Sequence, residues 1–149
     1  YHVAIAHKNT LHKEQGPIKN YRYFFSEFCN LLVTPLSSEG NLYTFGLLPW
    51  THLIIWPGKG IILINYLPKN IDQCIIEIKF ASPSLCENDL ENWKKSILEF
   101  LGEDKVIVES VHKSYLENFK LGPPNRLEQR IIHWQNIYKD FLNASGISF

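Results

Sequence analysis

The sequence predicts an α+β domain in which an antiparallel sheet comes first and C-terminal helices pack on it. Three observations carry that expectation. Between residues 42 and 80, β-branched and aromatic runs are separated by turn residues. After residue 88, apolar side chains fall at helical spacing instead. Strands followed by helices, rather than alternating with them, place the helices on one face of an antiparallel sheet.

Taken in order, residues 1–19 are His-rich and break at Gly16-Pro17. Residues 21–35 are aromatic and apolar without a decisive period, and a Pro-Leu-Ser-Ser-Glu-Gly turn follows from Pro35. Strands are predicted at 42–50, 52–56, 60–66 and 73–80, with turns at Pro49, Pro57-Gly58 and Pro68-Lys69-Asn70. In the last strand Cys74, Ile76, Ile78 and Phe80 alternate with Ile75, Glu77 and Lys79, so one sheet face is expected to be wet. Asn88 with Glu91 resembles a capping box, and Leu90, Trp93, Ile97 and Leu101 make a helical stripe that Gly102 is expected to end. A second helix is expected from Glu103 or Asp104. Beyond Pro123-Pro124, Asn125 with Glu128 looks like another cap, and Leu127, Ile131, Trp134, Tyr138 and Phe141 form the stripe of a last helix.

The 149 residues suffice for one domain or a substantial piece of one, and 45% hydrophobic with 20% charged residues is a globular profile. Fifteen basic residues balance fifteen acidic ones, which argues against a nucleic-acid partner because duplex binding needs a basic excess. The longest apolar run, residues 60–67, is strand-sized and carries Asn65, so no membrane partner is expected either. Three cysteines make no disulfide framework and favour a reducing, cytoplasmic location. The chain has no Met and opens on Tyr1-His2, from which we expect a piece of a longer chain.

His2 and His7 lie five residues apart, about 140° around a helix, so they converge only where a helix ends and a turn begins. Imidazole suits iron, zinc or copper. Asp104 falls on the helical stripe of Val108, Val111 and Tyr115, where a carboxylate needs a partner. The plainer readings are an incidental His pair and an Asp that serves its helix terminus. Two His and one carboxylate also make the facial triad that leaves ferrous iron open to dioxygen and substrate.

Here the sequence resembles the catalytic domain of the Rieske non-haem iron oxygenase α-subunits, the aromatic-ring-hydroxylating dioxygenases and related monooxygenases. Tyr1-His2-x4-His7 is similar to the family's Tyr-His-x4-His segment, and Glu103-Asp104-x4-Glu109 to its Glu-Asp-x4-Glu motif. Trp56-Pro57-Gly58, Gly122-Pro123 through Glu128, and His133-Trp134 extend the likeness along nearly the whole chain. The resemblance implies a curved sheet in a helix-grip fold that encloses a cavity. It implies mononuclear Fe(II) held by His2, His7 and Asp104, with no catalytic residue beyond these ligands. It further implies mono- or dioxygenation of a small organic substrate by O2, as in aromatic hydrocarbon catabolism. Electrons would come from a Rieske [2Fe-2S] cluster fed by a ferredoxin or reductase, within a homo-trimer or an α/β oligomer.

The chain departs from the family pattern in three places. His112 stands where the family usually has Gln. The acidic residue that bridges cluster and iron would lie upstream of Tyr1. Cys29, Cys74 and Cys86 lack the Cys-x-His and Cys-x-x-His pairs that hold a Rieske cluster, so these residues cannot bind it.

The remaining candidates carry plainer expectations. His12 and His133 read as surface residues, His52 as core or pocket, and Glu109 as a solvated charge or a partner to a ligand His. The four Trp and the cluster Tyr21, Tyr23, Phe24, Phe25 and Phe28 are expected mostly in the core, as are the cysteines. An aromatic cage for a quaternary ammonium substrate is conceivable but nothing in the sequence singles one out. No Ser-His-acid pattern and no glycine-rich phosphate loop is present. The alternatives to an oxygenase are a metal-free helix-grip module binding an apolar ligand or partner, and a zinc hydrolase built on the same three ligands.

Overall fold

The computed structural model describes residue 7 and residues 13–38, 40–47, 49–83, 85–117, 122, 125 and 128–146. After a short 3-10 turn at Ile18–Asn20 come six strands, β1 (Arg22–Phe25), β2 (Cys29–Pro35), β3 (Asn41–Leu47), β4 (Thr51–Trp56), β5 (Gly60–Asn70) and β6 (Gln73–Ala81). Two helices follow, α1 (Glu87–Leu116) and α2 (Gln129–Ala144). Every strand pairs antiparallel with its neighbours in the chain, giving the order β1-β2-β3-β4-β5-β6. The sheet is curved and unclosed, with both helices packed on it in a helix-grip-like arrangement. The α+β class expected from the sequence is the class observed.

The register explains which face is covered. Residues directly opposite in an antiparallel pair share a face. Leu32, Thr44, Ile54, Ile62 and Phe80 therefore make one row across β2 to β6, and Asn30, Gly46, His52, Ile64 and Ile78 make the next. Ile62 and Ile64 are fully buried and join Leu42, Trp56, Trp93 and Ile97 in the core. Trp93 meets Phe80 edge-on at 5.5 Å, so the N-terminal half of α1 is pinned to β6. Leu90 and Leu101 pack against the same cluster, which completes the expected stripe.

Several local expectations change. Residues 21–35 form the β1–β2 hairpin at the sheet edge, and for that reason Phe24, Phe25 and Phe28 are largely exposed rather than core. Pro68 lies inside β5 opposite Cys74, beside a register irregularity, and the turn comes at residues 71–72. A proline lacks the ladder N–H and is tolerated where pairing is already interrupted. Asn70 Oδ1 accepts a 2.9 Å bond from the Asp72 N–H and shapes that turn.

Gly102 does not end a helix. Residues 87–116 run as one helix, because a glycine inside a helix costs only about 1 kcal/mol and no proline lies within it. The helix begins after Cys86, two residues before the expected cap at Asn88. Asn125 and Glu128 do interact, the Asn125 N–H donating to the Glu128 carboxylate, but the helix proper starts at Gln129. The wet face read from β6 is local to that strand. On β2 to β5 the same face carries the half-buried row Leu31, Phe45, Leu53 and Leu63. Cys74 and Cys86 are exposed and Cys29 partly so, contrary to the buried positions expected. No helix among the described residues is long and apolar enough to cross a membrane.

Candidate metal centre and adjoining pocket

His7 is 1% exposed and is gripped by two consecutive residues of α1. Its Nδ1 lies 2.8 Å from Glu103 Oε2, and its Nε2 lies 3.1 Å from Asp104 Oδ1. Successive helix residues point about 100° apart, and the two imidazole nitrogens face opposite ways, so adjacent carboxylates reach both sides of one ring. Phe100, one turn earlier on α1, meets the ring edge-on at 4.3 Å. The arrangement is satisfied by an imidazolium between two carboxylates, or by a cation placed between Nε2 and Asp104.

Two of the three expected donors stand at a spacing compatible with a shared ion. Two ligand atoms each about 2.1 Å from an ion and at right angles to each other stand about 3 Å apart, the spacing of His7 Nε2 and Asp104 Oδ1. A carboxylate on the other ring nitrogen is the usual device for fixing the tautomer and raising the basicity of a ligand His. Sequence reasoning missed Glu103 in this role, although its place beside Asp104 was the signal. Of the three expected ligands, His7 and Asp104 are brought together and His2 lies outside the described residues. No group of three or more His, Cys, Asp or Glu suited to a metal occurs among the described residues.

The other candidates separate. Glu109 reaches Lys105 at 3.7 Å on an exposed flank of α1 and is a solvated charge. His112 Nε2 lies 3.3 Å from Asp72 Oδ1, so it faces the β5–β6 turn. His12 lies outside the described residues. Trp56 and Trp93 belong to the core, whereas Trp50 is half exposed.

A pocket of about 410 Å³ opens between the sheet and α2. Trp50, His52 and Tyr66 line it from the sheet, and Arg130, Ile131 and Trp134 from α2. His52 meets Tyr66 edge-on at 5.4 Å. Burial, reinforced by the Arg130 charge, lowers His52 to about 4, so the ring is neutral at ordinary pH. The Tyr66 hydroxyl is pushed up, first by burial and then by the charge of Asp104, while Arg130 opposes the shift. Tyr66 therefore stands within electrostatic reach of the His7 site on one side and of Arg130 on the other.

Arg130 is held by a polar chain running from the β1–β2 hairpin to α2. His133 Nε2 donates to Ser26 O at 2.9 Å, which leaves Nδ1 to accept from Asn30 Nδ2 at 3.4 Å. Asn30 Oδ1 in turn accepts from Arg130 Nε at 2.5 Å. Asn30 is fully buried, and His133 is a structural link rather than the surface residue expected. Gly46, next to Asn30 in the sheet row, makes the space. A Cβ there would stand 2.8 Å from Asn30 Oδ1, 3.0 Å from Arg130 Nη2 and 3.1 Å from Trp134 Cζ2. The only hint of Arg130 in the sequence is its position one turn before Trp134 on the apolar stripe of α2.

Fold and site together define a helix-grip-like α+β domain with a buried His–carboxylate cluster and a separate aromatic pocket, Tyr66 lying within electrostatic reach of Asp104. No family model matches the chain, and no curated protein or solved structure is significantly similar to it.

Proposed function

We propose that this chain is the mononuclear-iron catalytic part of a Rieske-type terminal oxygenase that hydroxylates a small organic substrate with O2. The observation that carries the proposal is the clamping of a buried His7 between Glu103 and Asp104, with Asp104 at ligand spacing from Nε2. His2, His7 and Asp104 hold the iron in this reading. Bound Fe(II) supplies redox capacity and oxygen activation, with electrons from a [2Fe-2S] cluster elsewhere in the assembly. Glu103 orients His7, Phe100 packs its ring, and the pocket beyond Tyr66 holds the substrate in apolar surroundings.

Anaerobic Fe(II) loading of the full-length protein followed by metal analysis tests this. Stoichiometric iron in the natural protein, lost on His7→Ala and on Asp104→Ala, is the expected result. Full iron occupancy in the Asp104→Ala protein refutes the ligand assignment. A metal-free module binding an apolar ligand is the second reading, favoured by the fact that both His7 nitrogens already face carboxylates. An absence of iron after loading, with ligand binding intact, selects it.

A further inference from the structure

Arg130 is a mostly buried cation with no carboxylate within ion-pair distance among the described residues. Its Nε is used by Asn30, whereas its Nη2 is shielded from solvent with no hydrogen-bond partner. Leaving a charged donor buried and unpaired is costly, so such a group in a native structure calls for a partner. Arg130 lines a pocket whose walls include Trp50, Tyr66 and Trp134. Three aromatic walls alone would suit a quaternary ammonium group. A fixed positive charge in the same pocket repels one and attracts an anion instead. His52, neutral beside it, offers a second polar edge without competing for that anion.

We infer that the pocket binds an organic anion, an apolar aromatic acid whose carboxylate is held by Arg130 while its ring lies among Trp50, Tyr66 and Trp134. The planar guanidinium matches a carboxylate with paired donors. Nη2 rests against Gly46 on the sheet side, while the Arg130 side chain borders the pocket. The inference names the substrate class of the proposed oxygenase and rests on that reading for the reaction, though not for binding.

The test is calorimetric titration of the full-length protein after chelator treatment and dialysis, so that no metal takes part. The probes are 2-naphthoate, its neutral isostere 2-naphthamide, and the cation phenyltrimethylammonium. Naphthoate is expected to bind at least about tenfold more tightly than naphthamide, the scale of a charge-assisted pair, with no measurable binding of the cation. Arg130→Gln is expected to abolish the preference for naphthoate over naphthamide. Equal affinities for acid and amide in the natural protein overturn the inference, as do tighter binding of the cation, binding of none of the three, or a preference retained by Arg130→Gln. The comparison of acid with amide needs no variant, so it decides the matter even if Arg130→Gln fails to fold. Naphthoate binding by a protein that takes up no iron leaves the carboxylate site standing and removes the oxygenase. Iron uptake without the acid preference does the reverse.

Discussion

Asp104 presents its Oδ1 to Nε2 of His7 at 3.1 Å, while its chain neighbour Glu103 takes Nδ1 at 2.8 Å. One imidazole thereby meets two consecutive side chains of α1. In the proposed iron site the roles of the two acids differ, Asp104 serving as a ligand and Glu103 orienting the ring. Substitution separates them. Asp104→Ala is expected to abolish iron retention, whereas Glu103→Gln is expected to weaken it about 10–100-fold, as loss of an outer-shell carboxylate does. Metal analysis across a series of free Fe(II) concentrations distinguishes loss from weakening. Equal retention in Glu103→Gln and the natural protein removes Glu103 from this role.

Gly46 is the floor beneath Arg130. Its replacement by Ala puts a methyl group against Asn30, Arg130 and Trp134 at once, and overpacking of this kind costs about 1–3 kcal/mol. Urea denaturation reads the stability loss. A stability within a few tenths of a kcal/mol of the natural protein shows that α2 moves away freely.

His52 makes stability depend on pH. Its folded-state value of about 4 lies below the ordinary His value of 6.5, so between pH 6.5 and 4 the unfolded chain takes up a proton that the folded one does not. The contribution is present above pH 6.5 and is lost as pH falls through that window, by up to about 3 kcal/mol. His52→Phe is expected to flatten this part of the stability curve, measured by chemical denaturation from pH 7 to pH 4. An unchanged slope in the variant assigns the dependence to other groups.

Gly102 sits inside a continuous helix, and a Cβ at this position meets nothing within 4 Å. Gly102→Ala is therefore expected to stabilise the protein by about 0.5–1 kcal/mol. A stabilising shift in the denaturation midpoint checks it. A destabilising one indicates that the glycine is needed for a close approach.

Ile62 has no exposed surface and lies where β5 meets both its neighbours and α1. Ile62→Ala is expected to cost about 2–5 kcal/mol through lost burial and an unfilled cavity. Differential denaturation measures it, and a cost below about 1 kcal/mol contradicts the assigned core.

Legibility in the sequence followed the range of the interactions. The strands of β3 to β6 were readable because β-branched runs and turn residues act locally, and the Trp93–Ile97 stripe because helical spacing marks its buried side. The β1–β2 hairpin was not, since its aromatic residues face both ways at an exposed edge and show no clean period. Gly102 misled for a related reason. A glycine inside a helix costs only about 1 kcal/mol, and here the helix continues through it.

The residue types and order, acting alone, determined the succession of strands and helices and the α+β class, for which local propensity and periodicity are enough. His7 and Asp104 were paired as candidates for one site by their donor chemistry and by the resemblance, not by periodicity. Tertiary structure decided which carboxylate faces which imidazole nitrogen, that Gly46 opens a notch for Arg130, and that His133 and Asn30 hold that arginine over the pocket. These are contacts between residues nearly a hundred positions apart. They depend on strand register and on where helices cross the sheet, which no local pattern encodes.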